Sequence, residues 1–307
     1  MLLKFNNEVR IKTSTKCNYK CSFCPHSTSF TRKKQIMSFK TFQLILDKVK
    51  VEAPFITDCT ISGFGEAFLD KTIMKKIEYA RGQDYKVHIL TNGSLLSKQM
   101  MNKLFKLGVS DLRFSIHALV SDKYASIMGT SLDNYIRVLH NIAYAIKNKN
   151  NTKIIITAVI TKENKDQIKL LIDNYSKQVD LLEIWKPHNW VDGEYYRIGD
   201  CTKRTCGRPS KGPLQIQVDG TVNMCCFDYN GKLLLGNFKK QTLKEIFSSE
   251  PYLIIKKHHK NGTILKSDLL CKECDQLFEN NNVIIYNSQF DKEDRIGKLS
   301  TTYRRIK

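Results

Sequence analysis

Residues 9–24 read VRIKTSTKCNYKCSFC, a short β-like run over Val9–Lys12 followed by a loop that carries three cysteines. The same alternation of β-like segment and helical periodicity continues to about residue 186. Further strands are expected at Asp58–Ser62, Val87–Leu90, Asp111–Ile116, Ile154–Ile160 and Leu181–Trp185. Amphipathic helices are expected at Phe39–Val51, Lys71–Gly82, Lys98–Leu107, Leu132–Lys147 and Gln167–Tyr175. Ser38, Ser97 and Ser121 stand where N-caps belong, and Gly82 and Gly108 where helices would stop. Strand–helix alternation requires a parallel sheet with right-handed crossovers. Six units are two short of an eightfold barrel, so the expected fold class is α/β, a partial (β/α)6 TIM-like barrel over residues 1–186.

Beyond Trp185 the texture changes. Residues 187–200 lack periodicity and read as a linker. Leu214–Val218, Asp219-Gly220 and Thr221–Met224 then form the strongest short hairpin signal in the chain. Thr242-Leu243-Lys244-Glu245 matches a capping box. A second, smaller α+β domain is therefore expected over residues 201–274, followed by a polar tail, 275–307, of no readable structure. The 307 residues, 41% of them hydrophobic and 26% charged, suffice for a barrel-sized domain with a small appendage. No apolar signal segment follows Met1, and the longest β-like apolar run, Ile154–Ile160, is too short to span a bilayer. Secretion and membrane insertion are disfavoured, and a cytoplasmic location is expected. There, ten cysteines more often hold metal than form disulfides. The net charge of +20 would suit nucleic acid, but the excess is spread over the chain and reads as a solvated basic surface.

Cys17, Cys21 and Cys24 form C-x3-C-x2-C just past the first strand. Three thiolates so spaced can wrap one corner of a cubane iron–sulfur cluster and leave its fourth iron open. The bland alternative is a zinc knuckle with His26 as fourth ligand. A second set comprises Cys206, Cys225, which lies five residues past Gly220, and the pair Cys271 and Cys274. Four thiolates can hold a complete cluster or a structural zinc, and the ligands alone do not separate the two. Cys59 falls inside the second strand as a small hydrophobe; Cys201 and Cys226 are left over, and either could replace an assigned ligand.

Cys17-Asn-Tyr-Lys-Cys21-Ser-Phe-Cys24 after strand one resembles the radical S-adenosylmethionine (SAM) enzymes. The resemblance implies that Cys17, Cys21 and Cys24 hold a 4Fe–4S cluster whose unique iron chelates SAM, with Phe23 against the adenine. Gly63-Phe-Gly65-Glu66 resembles the family's Gly-Glu motif, which implies a role for Gly65 and Glu66 in receiving the methionyl amino group; Ala67 stands where the usual proline follows. Thr91-Asn92-Gly93 and Ser115 also match, and the serine is expected to contact SAM. The C-terminal pattern of Cys225-Cys-Phe-Asp-Tyr, Gly236-Asn237, Leu243-Lys-Glu-Ile246 and Leu270-Cys-Lys-Glu-Cys274 resembles the extensions called SPASM and, when shortened, twitch. It implies one auxiliary 4Fe–4S cluster on Cys206, Cys225, Cys271 and Cys274.

What the resemblance implies in function is an oxidoreductase. A 5′-deoxyadenosyl radical removes hydrogen from a substrate C–H bond, and the auxiliary cluster accepts an electron. The layout is similar to the aminocyclitol dehydrogenases, and the short stretch before strand one has no room for the leader-recognition domain of many peptide-modifying relatives. Oxidation of a small polar metabolite, such as a sugar or cyclitol, is therefore expected, with a reducing donor such as flavodoxin or ferredoxin. The alternatives are a peptide or protein side-chain maturase, an RNA-modifying enzyme and a non-catalytic zinc-binding module. No general base is assigned among His88, His117 and His188. Trp185, His188 and Trp190 are candidates either for lining a pocket or for packing.

Overall fold

The structure, a computed structural model, describes residues 6–190, 203–278 and 284–288. The expected linker lies outside them from residue 191 onward, as do Cys201 and most of the tail. In chain order the first elements are β1 (Glu8–Ile11), α1 (Pro25–Thr28), α2 (Phe39–Glu52), β2 (Asp58–Ile61), α3 (Ile73–Gly82), β3 (Lys86–Thr91) and α4 (Lys98–Lys106). Next come β4 (Asp111–Ser115), α5 (Ser121–Met128), α6 (Leu132–Asn148), β5 (Lys153–Val159), α7 (Gln167–Tyr175) and β6 (Leu181–Trp185). The C-terminal part adds α8 (Arg208–Lys211), β7 (Leu214–Ile216), β8 (Thr221–Asn223), β9 (Leu234–Asn237), α9 (Leu243–Ile246), α10 (Glu250–Asn261) and β10 (Ile284–Asn287).

The described residues form two compact units. The first gathers residues 6–16, 30–87 and 188–278; the second gathers 17–29, 88–187 and 284–288. In the first, β1 pairs in parallel with β2, from Glu8↔Asp58 to Ile11↔Ile61, and on its other edge with β7, from Val9↔Leu214 to Ile11↔Ile216. β8 and β9 continue antiparallel from β7. Side chains alternate across a strand, so Val9, Ile11, Cys59, Ile61, Leu214 and Ile216 share one face, and all are fully buried. α2 is begun by Ser38, whose hydroxyl accepts from the Thr41 amide, and it buries Phe42, Ile45, Leu46 and Val49. That three- and four-residue spacing makes a single apolar stripe. Thr242 and Glu245 form the expected capping box at α9.

In the second unit β3, β4, β5 and β6 pair in parallel in that order, and β10 runs antiparallel on β6. The strand that the sequence left unread thus protects an edge that would otherwise offer unpaired backbone groups. Ser288 reinforces it, its amide donating to the Leu182 carbonyl at 3.1 Å and its hydroxyl accepting from the Leu182 amide at 2.9 Å. One expectation needs correcting. Ser121 is not an N-cap: Val120 holds that position and Ser121 begins α5, a helix the periodicity did not isolate. Ser131 caps α6, accepting from the Asn134 amide.

Candidate active site

The thiol loop belongs to the second unit. Asn18, between Cys17 and Cys21, donates to the Ser94 hydroxyl and accepts from Asn92 Nδ2, both at 2.9 Å. The turn after β3, Thr91-Asn92-Gly93, therefore grips the loop. Gly93 makes that turn with φ 80°. On its other side the loop hangs on the end of α5. The Lys20 amide donates to the Gly129 carbonyl at 3.3 Å and the Ser22 amide to the Ile127 carbonyl at 2.9 Å. Gly129 is required there on two counts: φ is 55°, and an added Cβ would lie 2.2 Å from the Lys20 carbonyl oxygen. The fold thus holds the loop rigidly through residues that are not themselves ligands, and α5, Asn18 and Gly129 are functional features that sequence reasoning missed.

Burial, joined by repulsion from its neighbours Cys24 and Cys17, pushes the Cys21 thiol well up, and burial pushes Cys24 up to about 11. Three adjacent thiolates therefore need a strong positive partner. A single zinc ion would set sulfurs bonded at about 2.3 Å roughly 3.8 Å apart. Among the described residues, the group of three such ligands that lies within 4.8 Å is His188, Cys274 and Asp275, which does not include the Cys17, Cys21 and Cys24 trio. A cubane, which gives each thiolate its own iron, fits that all-thiol donor set. Phe23 lies edge-on to His117, ring centroids 4.7 Å apart. His117 is buried and held neutral, down to about 3, with Nδ1 accepting from the Val159 amide at 2.8 Å. Ser115 is the last residue of β4.

In the first unit, the Gly63–Glu66 loop packs on the backbone that leads into Cys17. The Glu66 amide donates to the Lys16 carbonyl at 2.8 Å, and a Cβ on Gly65 would fall 2.5 Å from the Ser14 carbonyl oxygen. Gly65 is there for space. The Glu66 carboxylate is buried and accepts from the Phe68 amide at 3.1 Å.

The second cysteine set also lies in the first unit. Cys206, Cys225, Cys271 and Cys274 line one cavity of about 460 Å³, counting its mouth, together with Met224, Leu233, Leu270 and Leu277. Cys226 is not on that lining. Its thiol accepts from Arg208 Nη1 at 3.2 Å, and it is favoured as thiolate by a hydrogen bond from Cys225 and by the Arg208, Arg10 and Lys12 charges. Burial pushes Cys271 and Cys274 up to about 12 and raises Cys206. The Cys225 thiol is raised as well, chiefly by donating to Cys226. An apolar cavity with four reluctant thiols suits a cluster that stabilises all four as thiolates. Beside it, His188 stacks on Phe227 with centroids 3.5 Å apart and sits 2.9 Å from Asp275, while its Nδ1 accepts from the Trp190 amide. His88 likewise pairs with Asp111, so the histidines near the strands are engaged structurally.

Two cysteine groups on an α/β scaffold, one of three thiols and one of four, define an iron–sulfur enzyme. Comparison with known proteins gives the family. Residues 11–174 match the radical SAM superfamily, and residues 206–275 match the SPASM iron–sulfur cluster-binding domain. The chain belongs to the radical SAM superfamily, which uses S-adenosylmethionine with a 4Fe–4S cluster, and the SPASM match adds an auxiliary cluster. It is similar to the S-adenosyl-L-methionine-dependent 2-deoxy-scyllo-inosamine dehydrogenase of Niallia circulans, 22% identical over 281 residues, covering 89% of this chain and 94% of the relative. Among solved structures, BtrN in complex with AdoMet and 2-DOIA superposes with a TM-score of 0.62 at 19% identity, over 89% of this chain and 94% of that one. Streptococcus suis SuiB bound to the precursor peptide SuiA gives 0.67 at 18% identity, over 95% and 74%. These likenesses show the fold: α/β, with the partial barrel and the smaller α+β C-terminal region expected from the sequence. No helix among the described residues is long and apolar enough to cross a membrane.

Proposed function

We propose that this enzyme oxidises a small polar metabolite, such as a sugar or cyclitol, by taking hydrogen from a C–H bond. SAM bound to a reduced cluster supplies the hydrogen-abstracting group. In this reading Cys17, Cys21 and Cys24 hold that cluster, and Phe23, Gly65, Glu66 and Ser115 contact SAM. Cys206, Cys225, Cys271 and Cys274 hold the auxiliary cluster. The barrel spans residues 1–186 and the auxiliary domain 201–274. The balance is a two-electron oxidation of a secondary alcohol to a ketone. One hydrogen atom would end on 5′-deoxyadenosine and the hydroxyl proton would leave, and a cluster held by Cys206, Cys225, Cys271 and Cys274 would supply the acceptor for the remaining electron. The starting electron comes from a reducing protein such as flavodoxin or ferredoxin in the cytoplasm.

The observation that carries the reading is the convergence of four thiols on one apolar cavity. Four protein ligands leave no iron for substrate, so the auxiliary centre is suited to electron transfer. The test is anaerobic reconstitution, which should give about eight irons per chain. Reduction in the presence of SAM and 2-deoxy-scyllo-inosamine, myo-inositol, sugars or peptides then follows, with 5′-deoxyadenosine and product mass as readouts. A product two hydrogens lighter from a small alcohol supports the proposal. Turnover of peptides alone overturns it in favour of side-chain maturation.

A further inference from the structure

The polar face of the first unit's sheet carries groups that have no hydrogen-bond partner among the described residues. Arg10 pairs in register with Gln215, the Lys12 amide donates to the Ile216 carbonyl, and Gln215 pairs with Asn223. Two-residue periodicity therefore sets Lys12 and Gln217 beside Gln215 and Asn223 on one face, opposite the apolar core. Lys12 is 5% exposed, Gln215 4%, Gln217 1% and Asn223 2%. Lys12 Nζ, Gln215 Nε2, Gln217 Nε2 and Asn223 Oδ1 all lack a hydrogen-bond partner among the described residues. Buried polar groups are ordinarily paired, and each exception calls for a reason.

The cations around this face differ in one respect. Arg10 is paired with Glu8 at 2.7 Å and Arg32 with Asp219 at 2.9 Å. The carboxylate of Asp228 is committed to the Lys232 and Leu233 amides, at 2.9 and 2.6 Å. Lys12 has no hydrogen-bonded acceptor among the described residues, and its ammonium lies 4.9 Å from the centre of the Phe64 ring. Burial opposes the charge on Lys12 and brings it down to about 8, while Cys226, Asp228 and Cys225 favour it. Three of the four unpartnered atoms are donors, and one of those is a cation.

We propose that Lys12, Gln215 and Gln217 bind an anionic oxygen group of the substrate, a carboxylate or phosphate on a polyhydroxy compound. The inference rests on the oxidoreductase reading and narrows it: a buried ammonium with no hydrogen-bond acceptor among the described residues favours a substrate acid and disfavours an amine. Asn223 Oδ1 supplies the one acceptor, suited to a substrate hydroxyl.

The experiment titrates the anaerobic holoprotein, with SAM, against D-glucuronate, D-glucose 6-phosphate and neutral myo-inositol. At least one acid should bind roughly tenfold more tightly than myo-inositol, the worth of a charge-assisted hydrogen bond. Whichever acid is preferred identifies the anionic group. Lys12→Met should abolish the preference and Lys12→Arg should keep it. Gln217→Leu, which leaves the charge, should weaken binding of the acid severalfold and guards against a Lys12→Met protein that fails to load iron. Equal affinity for acids and myo-inositol, or a preference that survives Lys12→Met, overturns the proposal. So does a Lys12→Met protein with unchanged acid binding and a shifted auxiliary-cluster potential, because Lys12 would then be a counter-ion to the cluster. Formation of 5′-deoxyadenosine by the reduced wild type reads the parent proposal separately, so the two can fail independently.

Discussion

Gly65→Ala should disable the enzyme while leaving it folded. The added Cβ would sit 2.5 Å from the Ser14 carbonyl oxygen and 2.8 Å from that of Lys16, where ordinary contact begins at 3.4 Å. The obstacles are backbone atoms, so relief requires the 63–66 loop or residues 14–16 to move by about 0.9 Å, the gap between 2.5 and 3.4 Å. Gly65 does not have a positive φ, so the strain is one of space alone. Overpacking of this kind costs about 1–3 kcal/mol of stability, which a chain of this size survives. Misplacing a catalytic loop by about 1 Å costs roughly 100-fold in rate. Since Glu66 follows directly, the displacement is delivered to a carboxylate proposed to contact SAM. The assay is single-turnover formation of 5′-deoxyadenosine by reduced, reconstituted protein, with iron content and circular dichroism as controls. A variant with native iron content and a rate within about threefold of wild type would show that the close approach at Gly65 is dispensable.

Four further outcomes follow from the geometry. Gly82→Ala, at the exposed end of α3 with nothing within 4 Å of the new methyl, should leave activity unchanged and raise Tm by about 1–2 °C in a thermal scan. Replacing Cys206, Cys225, Cys271 or Cys274 singly by alanine should lower iron from about eight to about four per chain and stop product formation; Cys226→Ser should retain about eight irons. Lys76 and Asp70 are a fully buried ion pair whose lysine also donates to the Met37 carbonyl; Lys76→Met strands the carboxylate and should cost about 3–5 kcal/mol in urea unfolding, and a loss below about 1 kcal/mol would contradict the pairing. Folding holds His117 neutral down to about 3, whereas an unfolded histidine protonates near 6.5. Its contribution is thus complete above pH 6.5 and is lost as pH falls from there toward 3, by about 1.4 kcal/mol between pH 7 and 5.5. The stability profile of His117→Asn should be flatter over that range.

The sequence displays what is periodic or chemically singular. Strands such as Asp58–Ile61 and helices such as α2 announce themselves through alternation and caps, and seven cysteines at telling spacings mark the two candidate centres. Features set by tertiary context stay hidden. α5 is eight residues long, too short to separate by period from α6, and its N-cap is Val120, a residue with no capping side chain. β10 is a short run whose identity as a strand depends on the free edge of β6. Lys12 in isolation is one more lysine in a basic chain; only the neighbouring strand with Gln215 and Gln217, more than 200 residues away, reveals that it is buried without a hydrogen-bond partner among the described residues. Likewise, adjacent Cys225 and Cys226 are indistinguishable as letters. The turn after β8 puts one on the cavity lining and gives the other to Arg208.

The parallel pairing of Val9–Ile11 with Leu214–Ile216 has a consequence for biosynthesis. β1 leaves the ribosome some two hundred residues ahead of β7, so that flank stays bare for about 10–40 s at ordinary translation speeds. During that interval the chain exposes an adhesive strip that invites association with other nascent chains. Yield in a heterologous host should therefore respond to slower growth temperature or holdase supply more than to iron supplementation alone.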